Sequence, residues 1–148
     1  MTLFTELAVA TAMVAFTVAL HLGGLAFLLS MLRRHRIRTG DAGALVRDGI
    51  GILLAAFGLF LLHAAEIWGY ALLYVMLGAL SDFESALYFS TSTYATIGYG
   101  DVVLPPGWRV LGAIEGANGV ILLGWSTAFF VAIVSRIRLL ERELEVLR

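Results

Sequence analysis

Three stretches of this chain are apolar for long enough to cross a bilayer, which takes roughly 20 residues as a helix. They run from about Leu7 to Leu32, Gly49 to Leu72 and Trp108 to Val134. The first is not read as a secretory signal. Glu6 precedes it without a basic leader, and its arginines come after the apolar run, so a retained helix is expected. Arg33, Arg34, Arg36, Arg38 and Arg47 flank the first loop, and Arg136, Arg138 and Arg142 follow the third helix. An arginine excess marks the cytoplasmic side. Three crossings then place the N-terminus outside, the C-terminus in the cytoplasm, and the segment from about Leu73 to Gly107 outside.

That outer segment carries its own signals. Ser81-Asp82-Phe83-Glu84 has the spacing of a capping box and predicts a short helix starting at Ser81 and running to about Ala95. The carboxyl end of such a helix bears partial negative charge, so four of them aimed at one cavity would favour a cation there. Pro105-Pro106-Gly107 marks the entry to the third helix. Between the two lies Thr96-Ile97-Gly98-Tyr99-Gly100-Asp101, a polar, glycine-punctuated run between apolar segments. Dehydrating a monovalent cation needs a cage of oxygens that matches the lost water, and neutral carbonyls supply it without the grip of a carboxylate. Aiming successive carbonyls at one axis requires left-handed backbone, which Gly98 and Gly100 reach without a Cβ penalty. Ile97 and Tyr99 are expected to point away from the axis and pack behind it.

Composition places the chain in a membrane: 60% of residues are hydrophobic, 14% are charged and the mean hydropathy is +0.91. A net charge of −1 gives no basic balance for nucleic acid, and the absence of cysteine removes disulfides, zinc thiolates and thiol catalysis. No nucleophile, metal cluster or carboxylate pair converges in the sequence, so no enzyme and no cofactor is expected.

Residues from about Asp48 to Arg136, with Thr96 to Asp101 at their centre, resemble the pore domain of the potassium channel superfamily. That resemblance implies an outer helix, pore helix, filter and inner helix, assembled as a homotetramer with one filter strand per chain. It implies that potassium is held by the Thr96 hydroxyl and the carbonyls of Thr96, Ile97, Gly98 and Tyr99, with Gly100 shaping the entrance and Asp101 behind the mouth. The chain departs from the common pattern in three places. Ala95 stands where a second threonine is frequent, Ser92 where some members keep a pore-helix glutamate, and Tyr88-Phe89 where many carry a tryptophan pair. Ser92 and Tyr88 are thus candidate filter supports, with an altered aromatic cuff around Tyr99.

Glu115 and Asn118 lie one turn apart in the third helix. A membrane-embedded carboxylate is costly enough to suggest function. Either Glu115 turns to the pore helix near Ser92 or Tyr94 and supports the filter from behind, or it sits solvated at the interface. Gly112 and Gly116 have close-packing spacing, and Gly119 and Gly124 are candidate gating hinges, Gly119 favoured by the spacing the resemblance implies. Gly124, Ala128, Ala132 and Arg136 share a face that lines a vestibule or a helix contact. His63 and Glu66 have a spacing that can ligate metal, but with only His21 and His35 elsewhere the set is thin. The reading is a hydrogen-bonded pair at the interface, with Trp68, Tyr70 and Tyr74 as interface anchors. The first helix does not repeat arginine every third residue, so it is not expected to sense voltage; its trailing arginines orient it, with anionic lipid as a second role. Ile137, Leu140, Leu144 and Leu147 predict a helix continuing past the membrane.

The expectation is therefore an all-α membrane protein of three transmembrane helices plus a re-entrant pore helix and filter. Residues 1–44 form an added helix and basic loop, 45–136 a pore domain and 137–148 a short cytoplasmic helix. The implied function is passive, potassium-selective conduction across the cell membrane, with lipid and its own copies as partners. The alternatives are a weakly selective cation channel and a non-conducting sensor or assembly subunit.

Overall fold

A computed structural model describes residues 2–37 and 44–146, with side chains placed over residues 2–34, 46 and 49–135. The side chains of His35, Arg36, Arg38, Arg47, Arg136, Arg138 and Arg142, and those of the 137–147 stripe, lie outside the described residues. Four helices follow in order: α1 (Leu3–Ile37), α2 (Ala44–Met76), α3 (Phe83–Tyr94) and α4 (Arg109–Val146), with no strand among the described residues. Three of them contain spans long and apolar enough to cross a membrane: Leu3–Arg34, Gly49–Met76 and Arg109–Ser135. α4 runs without a break past the apolar span, as the charged stripe after Ser135 predicts.

α2 and α4 form the centre. α3 packs on both of them, and α1 packs on both without approaching α3. Two apolar clusters hold this arrangement. Ala10, Tyr70, Tyr74, Ala86, Leu104 and Leu111 close the end that carries α3, and Leu28, Leu32, Ala55 and Leu59 close the other, backed by Phe129, Phe130 and Ile133. Buried polar groups lie between the two clusters. Asn118 Nδ2 donates to Thr17 Oγ1 at 2.8 Å and to the Tyr70 hydroxyl at 3.3 Å. With no water in a bilayer core, polar groups there must be satisfied by other helices, so these bonds fix the rotation of α1 against α4. Tyr70 and Tyr74 are fully buried and are not interface anchors; of that trio only Trp68 is largely exposed.

The ends of the helices are set locally and across the chain. The N-cap of α3 is Asp82, not Ser81: Asp82 Oδ1 accepts the Ser85 amide at 2.8 Å, and Ser81 only donates to the other Asp82 oxygen at 3.1 Å. The hydrogen bond from the Ser85 amide is the main cause holding the Asp82 carboxyl below its ordinary 3.8. The start of α4 is capped by Glu6 of α1, whose Oε1 accepts the Val110 and Leu111 amides at 2.7 and 3.2 Å. A carboxylate at a helix N-terminus satisfies orphan donors and complements the dipole.

α4 seats α3 on small residues. A Cβ on Gly116 would lie 3.3 Å from the Thr93 carbonyl oxygen, and one on Gly119 only 2.4 Å from that of Tyr94. Gly119 therefore packs against the carboxyl end of α3, whereas a Cβ on Gly124 meets nothing within 4 Å. Gly119→Ala is expected to cost about 1–3 kcal/mol by overpacking, and Gly124→Ala to leave stability near wild type. Unfolding of the two purified variants in detergent checks this contrast, and equal stabilities would refute the close approach at Gly119.

Candidate functional site

The Thr96–Gly100 segment follows directly from the end of α3, and hydrogen bonds back to that helix determine its course. The Ala95 amide still bonds to the Thr91 carbonyl and the Thr96 amide to that of Thr93, at 3.1 and 3.0 Å. The Ile97 and Gly98 amides then share the Ser92 carbonyl at 2.8 and 3.1 Å, and the Tyr99 amide reaches the Ser92 hydroxyl at 3.4 Å. Every amide from Thr96 to Tyr99 is thus turned toward α3. In a planar trans peptide the carbonyl opposes the following N–H, and no peptide here is cis. The carbonyls of Thr96, Ile97 and Gly98 therefore face the opposite way, toward the open side of the chain.

Alternate residues supply the turn needed to keep that direction. Thr96, Gly98 and Gly100 have φ of +59°, +59° and +80°. Gly98 and Gly100 were legible as left-handed positions from the sequence, but Thr96 was not. A β-branched residue in that region is an outlier that persists only where surrounding contacts impose it, and here the bond from its amide to Thr93 is one of them.

Ser92, one of the candidate supports in the sequence, meets this segment through its carbonyl and hydroxyl. Tyr88, another candidate, also meets it. Its ring stacks on Tyr99 with centroids 6.4 Å apart and planes 13° apart, and its hydroxyl donates to Asp101 Oδ2 at 2.8 Å. That bond holds the Asp101 carboxyl below its ordinary 3.8 and pushes the Tyr88 phenol up. Phe89 does not join a cuff around Tyr99 within the chain; it packs edge-on against Tyr74 at 5.4 Å. Ile97 and Tyr99 remain 52% and 70% exposed on a single chain, and among the described aromatic side chains Tyr88 is the one that stacks on Tyr99.

Two buried carboxylates brace α3 from behind. Glu115 is fully buried, which rules out the solvated reading. It turns toward α3, but its partners are not Ser92 or Tyr94. Its Oε1 contacts Ser90 Oγ at 2.5 Å, and its Oε2 accepts from the Tyr74 hydroxyl at 2.6 Å. Ser90 Oγ also lies 3.0 Å from the Ile67 carbonyl, linking α2, α3 and α4. The acid that reaches Tyr94 is Glu66, whose Oε2 accepts the Tyr94 hydroxyl. Glu66 is fully buried, not interfacial, and pairs with His21 as well as His63, at 2.8 and 3.1 Å. His21 is the residue sequence reasoning set aside: 45 positions separate it from Glu66, and only the packing of α1 on α2 brings them together.

A family model described as "Ion channel" matches residues 56–136, more than half of the chain, and the chain belongs to that family. Comparison with curated proteins and with solved structures gives no match. The matched region takes in most of α2, all of α3, the Thr96–Gly100 segment and the apolar part of α4. The protein is a membrane protein of the ion channel class, and α1 lies outside the matched region.

Two measurements test this site. Glu115→Gln can keep both contacts, since its amide donates to Ser90, freeing the Ser90 hydroxyl for Ile67, while its oxygen still accepts from Tyr74. Glu115→Ala strands the Tyr74 hydroxyl and is expected to cost about 1–3 kcal/mol. Unfolding should rank wild type and Gln together and Ala below; Gln as damaging as Ala would contradict the geometry. A depressed Asp101 contributes stability above the ordinary carboxyl range and loses it only as pH falls through the folded value. The Tyr88 bond should therefore persist down to about pH 4. Carbon-detected NMR of labelled Asp101 should show its titration moving upward in Tyr88→Phe, and no movement would sever the link.

Proposed function

We propose that the protein is a potassium-selective channel in which four copies surround one axis and each contributes the Thr96–Gly100 strand. The observation that carries this reading is the row of amides from Thr96 to Tyr99 tied back to α3, which leaves successive carbonyls on the open side. A ring of such strands replaces the water around a potassium ion with neutral oxygens from Thr96, Ile97, Gly98 and Tyr99 and the Thr96 hydroxyl. Gly100 shapes the entrance, and Asp101, held by Tyr88, stands behind the mouth. One chain supplies only one wall of such a ring. The exposure of Ile97 and Tyr99 and an open groove of about 360 Å³ lined by Phe89, Thr93, Val103, Leu104, Arg109, Gly112 and Ala113 support further copies beside it.

In this reading residues 45–136 are the pore domain, residues 1–44 an added helix and arginine loop, and 137–148 a cytoplasmic helix. The arginine bias puts the N-terminus outside and the C-terminus inside the cell membrane, with the loop against anionic lipid. Gly124, where an added Cβ would meet nothing within 4 Å and which lies on an exposed face of α4, suits the hinge better than Gly119, which packs closely on Tyr94.

The decisive experiment is flux through liposomes made with this protein alone. Reversal potentials in mixed potassium and sodium should follow the potassium gradient, and comparable permeation of both ions would favour a weakly selective channel. A folded protein that passes neither ion would favour the non-conducting reading. Gly98→Ala should abolish selective flux: no atom lies within 4 Å of the added Cβ, but the left-handed φ opposes it. Orientation is tested separately by labelling intact cells, with Thr2 and Val103 reached from outside and Thr39 and Leu147 not.

A further inference from the structure

Behind the carboxyl end of α3, Glu66 meets side chains of α1, α2 and α3, and α4 closes on the two histidines that hold it. His21 Nδ1 (α1) is 2.8 Å from Glu66 Oε1, and His63 Nδ1 (α2) is 3.1 Å from Glu66 Oε2 and 2.9 Å from the Tyr94 hydroxyl (α3), which itself contacts Oε2. The ligand atoms of His21, His63 and Glu66 all lie within 4.8 Å of one another. Both far ring nitrogens face one hydroxyl on α4: Ser126 Oγ is 2.8 Å from His63 Nε2 and 3.5 Å from His21 Nε2.

The donor count of this cluster is unbalanced. With Glu66 ionised and both imidazoles neutral, each Nδ1–H is spent on Glu66 and each Nε2 needs a donor. Ser126 has one hydrogen and can serve only one of them. The buried carboxylate and the second Nε2 thus call for one more positive charge.

We propose that His21, His63, Glu66 and Tyr94 form a binding site for a zinc-class divalent cation. Two imidazole nitrogens and two oxygens are a borderline donor set suited to tetrahedral first-row metals. Ligands at about 2.0–2.1 Å from zinc stand about 3.3 Å apart, so the imidazole contacts of 2.8, 2.9 and 3.1 Å widen slightly on binding and the shorter Tyr94–Glu66 contact opens further. Both Nε2–H groups then donate to the two lone pairs of Ser126, the outer-shell arrangement that orients metal-bound histidine. Charge balances: without metal, one added proton makes one imidazole cationic and the site neutral; the ion enters as that proton and the Tyr94 phenol proton leave, and the site stays neutral with one carboxylate and one phenolate. His63, 13% exposed, is the side of entry.

The test uses full-length protein without a polyhistidine tag, stripped by chelator and titrated with Zn²⁺ or Co²⁺. One ion per chain is expected, with the visible bands of tetrahedral cobalt and a near-ultraviolet phenolate signal absent from Tyr94→Phe. Ser126→Ala should weaken binding by about 10–100-fold, and His21→Ala should remove it. Should His21→Ala fail to fold, His63→Gln replaces it. Folded wild type holding no more metal than the folded histidine variant, or cobalt bound without tetrahedral bands, would overturn the site and leave the cluster a proton-only network.

Discussion

Glu66 is the point on which the helices depend. The backbones of α1 and α3 do not come close, yet His21 from one and Tyr94 from the other reach the same carboxylate on α2. An isolated charge in a bilayer core is costly, and removing one partner of a buried pair leaves that cost uncompensated. The helix positions that satisfy Glu66 are therefore tightly restricted. They also place the last turn of α3, and the Thr96–Gly100 segment grows directly from that turn. The second carboxylate, Glu115, sits further up α3 on Ser90 and fixes its tilt against α4. Between them the two acids locate a twelve-residue helix that, by length alone, is marginal without tertiary support.

The spans, the short helix and the polar run after it were legible because each rests on local rules: length of apolar run, cap spacing, glycine where φ must be positive. Local rules also set the errors. Ser81 and Asp82 are both good caps, and choosing between them takes the direction of chain entry, which a four-residue pattern does not hold. Tyr70 and Tyr74 look like interface aromatics by position, but Asn118 and Glu115 give their hydroxyls buried partners, which a linear reading cannot supply. Glu115 was correctly offered a place behind α3, but its partner is Ser90, because pairing Glu115 with a turn of α3 requires knowing the register between two helices.

The least legible feature was the work done by α1. In the sequence Glu6 merely precedes the first apolar run, His21 belongs to a thin histidine set, and Thr17 carries no signal. In the fold, all three face inward and each meets a different buried acceptor or donor set. The helix outside the family match is thereby joined to the matched region by hydrogen bonds at three depths.

Those joints impose an order on biogenesis. α1 leaves the ribosome first, but Glu6 cannot cap Val110 until more than a hundred further residues have been made. In the interval the Thr17 hydroxyl is satisfied by the Met13 carbonyl of its own helix, and His21 can meet Glu66 once α2 is made. With α1 and α2 alone, Glu6 lacks the amides it caps. α4 then supplies both the amides that Glu6 caps and the Asn118 amide that reaches Thr17.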